Sequence, residues 1–176
     1  RPISIHNADI ERSINLNIVG TSNIVSACSV LKIKVIYFST NYVYPNIQGY
    51  YKEKDAVYPV NNYAWSKLGG ECAVQMYKNS LIIRSSMTEY PFVHKFAYSN
   101  MFTNFIFHKD FIKILEKVLH VKGILNIGGP PKSVYNFAKK YNPNIKKLRV
   151  KKTNKAKIPL NSLMNLTKLN KILKKL

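Results

Sequence analysis

The chain has 176 residues, 46% of them apolar, and a formal charge of +20 at neutral pH. That length carries one domain with a real core, while no apolar run approaches the ~18 residues of a membrane span and no secretory signal opens the chain. The charge invites nucleic acid or a membrane surface, but Arg occurs only at positions 1, 12, 84 and 149, and base-reading proteins lean on bidentate Arg.

Nucleic acid is therefore disfavoured as a partner. Attraction of a polyanionic small ligand is the milder reading of the charge. Cys28 and Cys72 lack metal-like spacing and read as reduced thiols of a reducing, cytoplasmic compartment. His6, His94, His108 and His120 are scattered, so no metal site is expected.

In chain order, Arg1 to His6 reads as a loop, and Asn7 or Asp9 can cap the helix that follows. Ile10, Ile14, Ile18, Val25 and Cys28 recur at helical spacing. Gly20, lacking a side chain, is expected to bring that helix close to a sheet. Val35-Ile36-Tyr37-Phe38 is short, β-branched and aromatic, as a buried parallel strand is. The hydroxyl pair Ser39-Thr40 sits where this strand leaves the sheet, and the carboxyl ends of parallel strands hold the ligands of open α/β sheets.

Pro45 to Pro59 is a turn-rich loop with Gly49 and several tyrosines, expected to wall a site above the strand ends. Val60 to Asn79 reads as a helix with Ala64, Leu68, Cys72 and Met76 inward. Gly69-Gly70 would weaken it unless another element packs closely there. Leu81-Ile82-Ile83-Arg84 is a second buried strand, left by Ser85 to Glu89. Pro91 to Lys109 is aromatic-rich and irregular, and Asp110 to His120 is a helix with Ile114, Leu115 and Val118 inward. A short helix spans Ser133 to Tyr141. Lys146 to Lys157 reads as a solvated basic connector. Leu166 to Leu176 is a basic amphipathic helix, read as docking on the domain in preference to a membrane surface.

Tyr63 and Lys67 are four apart on their helix and share a face. A phenol can exchange a proton with a carbonyl or alcohol oxygen. An adjacent ammonium is expected to favour phenolate; a lowering of about three units corresponds to about 4 kcal/mol. A hydroxyl such as Thr40 can orient the same oxygen. Together these equip a carbonyl reductase that receives hydride from a nicotinamide.

Ser39-Thr40-Asn41-Tyr42-Val43-Tyr44, Gly49-Tyr50-Tyr51-Lys52-Glu53, Pro59, Asn62-Tyr63, Ser66-Lys67-Leu68 and Glu71 follow a known pattern. The chain resembles the extended short-chain dehydrogenases/reductases, most closely the dTDP-4-dehydrorhamnose reductase (RmlD-like) and NAD-dependent nucleotide-sugar epimerase group, over nearly its whole length. The resemblance implies an α/β fold, a Rossmann-like parallel sheet flanked by helices, here the C-terminal portion only. Residues 1–90 would be the C-terminal half of the NAD(P)-binding domain, and 91–176 a small substrate-binding lobe with a late strand, Gly123 to Ile127, and helices.

The implied activity is NAD(P)H-dependent reduction of a 4-keto-6-deoxy nucleotide sugar. In it Tyr63 donates the proton, Lys67 tunes Tyr63 and holds the nicotinamide ribose, Thr40 positions the keto oxygen, and Asn17 joins a water relay to Lys67. Implied NADP or NAD contacts are Phe38, Ser39, Tyr63, Lys67 and Ser86. Implied substrate contacts are Thr40, Tyr42, Val43, Tyr63, Met87, Thr88 and Glu89. Asn41 stands where the group commonly has Asp, and the acidic pair usual in dehydratases is absent there, which favours reduction.

No strand, glycine-rich turn and helix precede residue 38 to hold a pyrophosphate, and the first residue is not Met. The expectation is a chain that lacks the adenosine-binding half, binds NAD(P) weakly by itself and exposes a sheet edge with aggregation as its hazard. An epimerase with the same triad and a noncatalytic subunit retaining the fold are the alternatives, and homodimerisation is left open.

Overall fold

A computed structural model describes residues 3–45, 47–150 and 158–175. Residues Ile3–Ala8 form helix α1, where a loop was expected, and Asp9 caps α2 (Ile10–Ile14) by accepting from the Arg12 N–H at 2.9 Å. The helix continues through a π turn, Asn15–Val19, into α3 (Gly20–Val30). Strand β1 (Val35–Thr40) leads through a short 3-10 turn to the long loop and then α4 (Asn62–Gln75), capped by Asn61. Strands β2 (Ser80–Ser85) and β3 (Met87–Thr88) follow, then β4 (Phe96–Tyr98), β5 (Phe102–Thr103) and β6 (Ile106–Phe107). Helix α5 (His108–Val118), β7 (Gly123–Ile127), β8 (Lys132–Ser133), α6 (Val134–Lys139), β9 (Lys146–Leu148) and α7 (Thr167–Leu173) complete the order.

Strands β1, β2 and β7 make a parallel sheet in the order β1-β2-β7. Alternation along the strands builds a core on each face. Leu81, Ile83, Leu125 and Ile127 meet Phe111 and Val118 of α5 and Leu169 of α7. Val35, Tyr37 and Ile82 meet Val25 of α3 and Val74 of α4. Every residue of β2 is buried, as a central strand requires, while β1 is an edge among the described residues. The sequence pattern and the structure agree on this layered α/β architecture.

Aromatic and aliphatic side chains from 92–107 and 134–145 form a separate cluster centred on Phe107 and Phe137, the core of a small lobe. Between these stretches the chain returns to the sheet through α5 and β7, so the lobe is interleaved with the sheet domain. Lys146–Leu148 belongs to this lobe as strand β9, paired with β4, and is not the expected connector. Its side chains are all exposed and only its backbone is engaged, so no hydrophobic pattern announced it; 151–157 lie outside the described residues.

Helix α4 buries a different stripe from the expected one. Leu68 is half-buried, but Cys72 is exposed and Met76 is 86% exposed; the sheet-facing line runs through Ala64, Gly70, Glu71 and Val74. The seam is turned toward Glu71 because the sheet offers it an arginine. The Gly69-Gly70 pair does serve close packing: a Cβ on Gly69 would lie 2.6 Å from Ile18, and one on Gly70 would lie 2.3 Å from the Tyr37 hydroxyl and 2.5 Å from the Asn17 carbonyl. Gly20 does not abut the sheet; the nearest atom to a Cβ there is the Asn15 carbonyl of its own π turn, at 3.2 Å.

Candidate active site

The carboxyl end of β1 delivers Thr40 and the first turn of α4 delivers Tyr63. The Thr40 hydroxyl faces the Tyr63 phenol closely enough to act on its titration. Tyr63 and Lys67 line a cavity of about 240 Å³ together with Asn17, His6 and Arg12. The Asn17 amide donates to Ser66 Oγ at 2.9 Å, and Ser66 Oγ donates to the Tyr63 carbonyl at 2.8 Å, which ties the π turn to α4. The wide turn also carries the Asn17 carbonyl against Gly70. Single π turns inside α-helices are frequent at functional sites. Asn17 of the π turn and Tyr63 and Lys67 of α4 therefore line one cavity, with Thr40 facing the phenol.

The electrostatics differ from the expected ones. Burial raises the Tyr63 phenol above its ordinary value, and the nearby Thr40 hydroxyl only partly offsets this. The expected lowering of Tyr63 by Lys67 is thus corrected. Lys67 Nζ stands 4.1 Å from the centroid of the Tyr37 ring, burial lowers its own pKa to about 8, and the charge that acts back on it is Glu71. At neutral pH the pair is a neutral phenol beside an ammonium, which suits a proton donor better than a base.

The other expected contacts divide. Tyr42 sets its ring edge-on to Tyr63 at 6.5 Å. Ser39 is buried on β1 with an unpartnered hydroxyl, and Phe38, 42% exposed, leans on Phe111 of α5. Ser86 is buried, and its carbonyl accepts from the Ile106 N–H at 3.2 Å. Thr88 is half-buried in β3 and Glu89 is exposed. Met87 packs against the sheet core. Val43 is 0% exposed, enclosed with Tyr44, Tyr51 and Met164, and its carbonyl accepts from Tyr58 at 2.8 Å. A side-chain contact from Val43 to substrate is therefore corrected: apolar packing at the strand exit takes that residue.

The loop from Pro45 to Pro59 reaches the strand ends, where Tyr50 lines a cavity of about 430 Å³ with Gly128 and Gly129. Tyr51 exchanges backbone hydrogen bonds with Leu163 and Asn165 and stacks on Tyr44 at 5.1 Å. It fastens the C-terminal segment, whereas α1 and α2 line the cavity beside Tyr63. Asn41 is buried; its amide donates to Thr103 Oγ1 at 2.9 Å and to the Ser162 hydroxyl at 2.8 Å.

Two features escaped the reading of the sequence. The His6 ring lies 4.9 Å from the Tyr63 ring and its Nδ1 bonds Ser13 Oγ at 2.9 Å; nothing in the sequence marked it. Glu71 and Arg84 form a fully buried ion pair at 2.6 Å. A signal did exist here, since a lone Arg in the apolar run Leu81-Ile82-Ile83 demands a carboxylate.

Comparison with known proteins bears on the family and the fold. The family model described as the RmlD substrate binding domain matches residues 7–102, more than half of the chain. A dTDP-4-dehydrorhamnose reductase of Mycolicibacterium smegmatis is 34% identical over 79 residues, 43% of this chain and 24% of that relative. Among solved structures, a hypothetical dTDP-4-dehydrorhamnose reductase from Sulfolobus tokodaii aligns with TM-score 0.82 and 25% identity, covering 94% of this chain and 68% of that one. The fold is shared with the Bacillus anthracis dTDP-4-dehydrorhamnose reductase solved with NADP, at TM-score 0.78 and 21% identity, covering 93% of this chain and 69% of that one. The chain thus spans about a quarter of the curated relative it matches. Its match over residues 7–102, carrying Thr40, Tyr63 and Lys67 within it, places the chain in the RmlD substrate-binding domain family.

Proposed function

We propose that the protein takes part in NAD(P)H-dependent reduction of a 4-keto-6-deoxy nucleotide sugar. The observation that carries this reading is the Tyr63 phenol, faced by the Thr40 hydroxyl and sharing a cavity with Lys67 and Asn17. A phenol kept neutral by burial holds its proton until a keto oxygen gains charge, and then transfers it. Thr40 orients that oxygen through its hydroxyl. Lys67, still charged at neutral pH, stabilises the phenolate left behind. Asn17 anchors the turn beside Lys67, and water bound there returns the proton.

The nicotinamide, when bound, supplies the hydride. The rim suits such a group: Ser39 and Ser85 hold buried hydroxyls without partners, at the carboxyl ends of β1 and β2. Phe38, Ser39, Ser86, Tyr63 and Lys67 would hold it, and Tyr42, Thr88 and Glu89 border the sugar. The test is NADPH oxidation by the full gene product with a dTDP-4-keto-6-deoxy sugar. Stoichiometric oxidation is expected, reduced at least about 100-fold in Tyr63→Phe. Unchanged turnover in that variant would remove Tyr63 from the chemistry. An epimerase uses the same residues without net consumption of reduced cofactor, so the stoichiometry separates the two.

A further inference from the structure

We infer that Glu71, clamped by Arg84, is a positioning residue whose carboxylate holds Lys67 in its charged form at the Tyr63 site. Its catalytic meaning rests on the reductase reading; its electrostatic content does not. Positions 63, 67 and 71 succeed one another at four-residue intervals on α4, so their side chains share one face. The Glu71 side chain is 0% exposed and the Arg84 side chain 3%. Arg84 Nε donates to Oε1 at 3.0 Å and Nη2 to Oε2 at 2.6 Å. The guanidinium is itself held over the Tyr44 ring at 4.8 Å and against the Glu53 carbonyl at 3.4 Å. A two-point clamp of this kind fixes where the negative charge stands.

Stability alone is a weak reason for such a pair, because apolar side chains of similar volume serve as well or better. A charge fixed one helical turn below Lys67 has another use. Burial pushes Lys67 down to about 8, and Glu71 is the charge that pulls it back up. The other groups facing this lysine do not replace it. Tyr37 of β1 presents its ring, and its hydroxyl donates to the Lys67 carbonyl at 3.1 Å. Tyr63 is kept neutral by burial. His6, Asp9 and Arg12 line the same cavity from the α1–α2 side, where Asp9 is engaged with the Arg12 backbone N–H and the Arg12 cation opposes a second positive charge.

The experiment is a pH titration of this chain labelled at lysine Cε with carbon-13, the Lys67 resonance being identified by its loss in Lys67→Arg. Glu71→Gln is expected to lower the Lys67 midpoint by at least about one unit, and Glu71→Asp to recover most of the loss. The double variant Glu71→Met, Arg84→Met removes both charges while refilling the space, so it is expected to fold stably and still show the lowered midpoint. An unmoved Lys67 in Glu71→Gln, or a wild-type midpoint in the double variant, would overturn the inference and leave the pair as a tie between α4 and β2. In the full gene product the alkaline limb of turnover should move with the midpoint. If no nucleotide sugar is turned over, the resonance still reports on Glu71, so the two readings fail separately.

Discussion

The inner face of α4 and the core of the small lobe are both buried, but they are built from different chemistry. On α4, Glu71 is held by Arg84 and Lys67 stands over the Tyr37 ring, while Tyr63 faces the Thr40 hydroxyl. In the lobe, Phe107, Phe137 and Tyr141 pack ring on ring at 4.7–5.4 Å, without polar contacts to one another. Directional networks hold reacting groups in one geometry and fail sharply when a partner is lost. Aromatic clusters tolerate rearrangement. Under the proposed reading, α4 holds the reacting groups and the lobe adapts.

The largest expected effect tests the first half of that contrast. Arg84→Met alone leaves Glu71 buried without its partner and should cost about 3–5 kcal/mol in chemical denaturation. Next comes Gly70→Ala, whose methyl would press on the Tyr37 hydroxyl and the Asn17 carbonyl; about 2 kcal/mol is expected, with a displaced Asn17 seen as weakened turnover in the full gene product. Phe137→Leu in the lobe should cost about 1 kcal/mol, since neighbouring rings can refill the space. A loss there equal to that of Arg84→Met would break the comparison.

The last test reads the pH dependence of stability. Lys67 is lowered to about 8 in the fold from an ordinary 10.5, so between those values the unfolded chain binds the extra proton and stability rises with pH. Below about 8 both states are protonated and this contribution is flat. Lys67→Met should remove the alkaline rise while leaving the rest of the curve in place.

Much of this was legible because it is local. β-branched runs bounded by polar turns marked β1 and β2, and four-residue spacing put Tyr63 beside Lys67. The hydroxyl pair Ser39-Thr40 marked the strand end as a candidate site. Asp9 was readable as a cap for the same reason. Cys72 and Met76 were misplaced because apolar spacing on α4 fits more than one stripe, and selecting between stripes needs the partner surface.

By itself, then, the sequence determined the layered α/β class, the helix that bears the phenol and the lysine, and the strand end that faces them, since each follows from periodicity and neighbouring residues. Only the tertiary structure decided which charge speaks to which. Tyr63 is raised by its enclosure, Lys67 answers to Glu71, and Glu71 is held by an arginine thirteen positions away. Desolvation and charge pairing depend on what the folded chain brings within a few ångströms and removes from water, and no spacing along the chain encodes that.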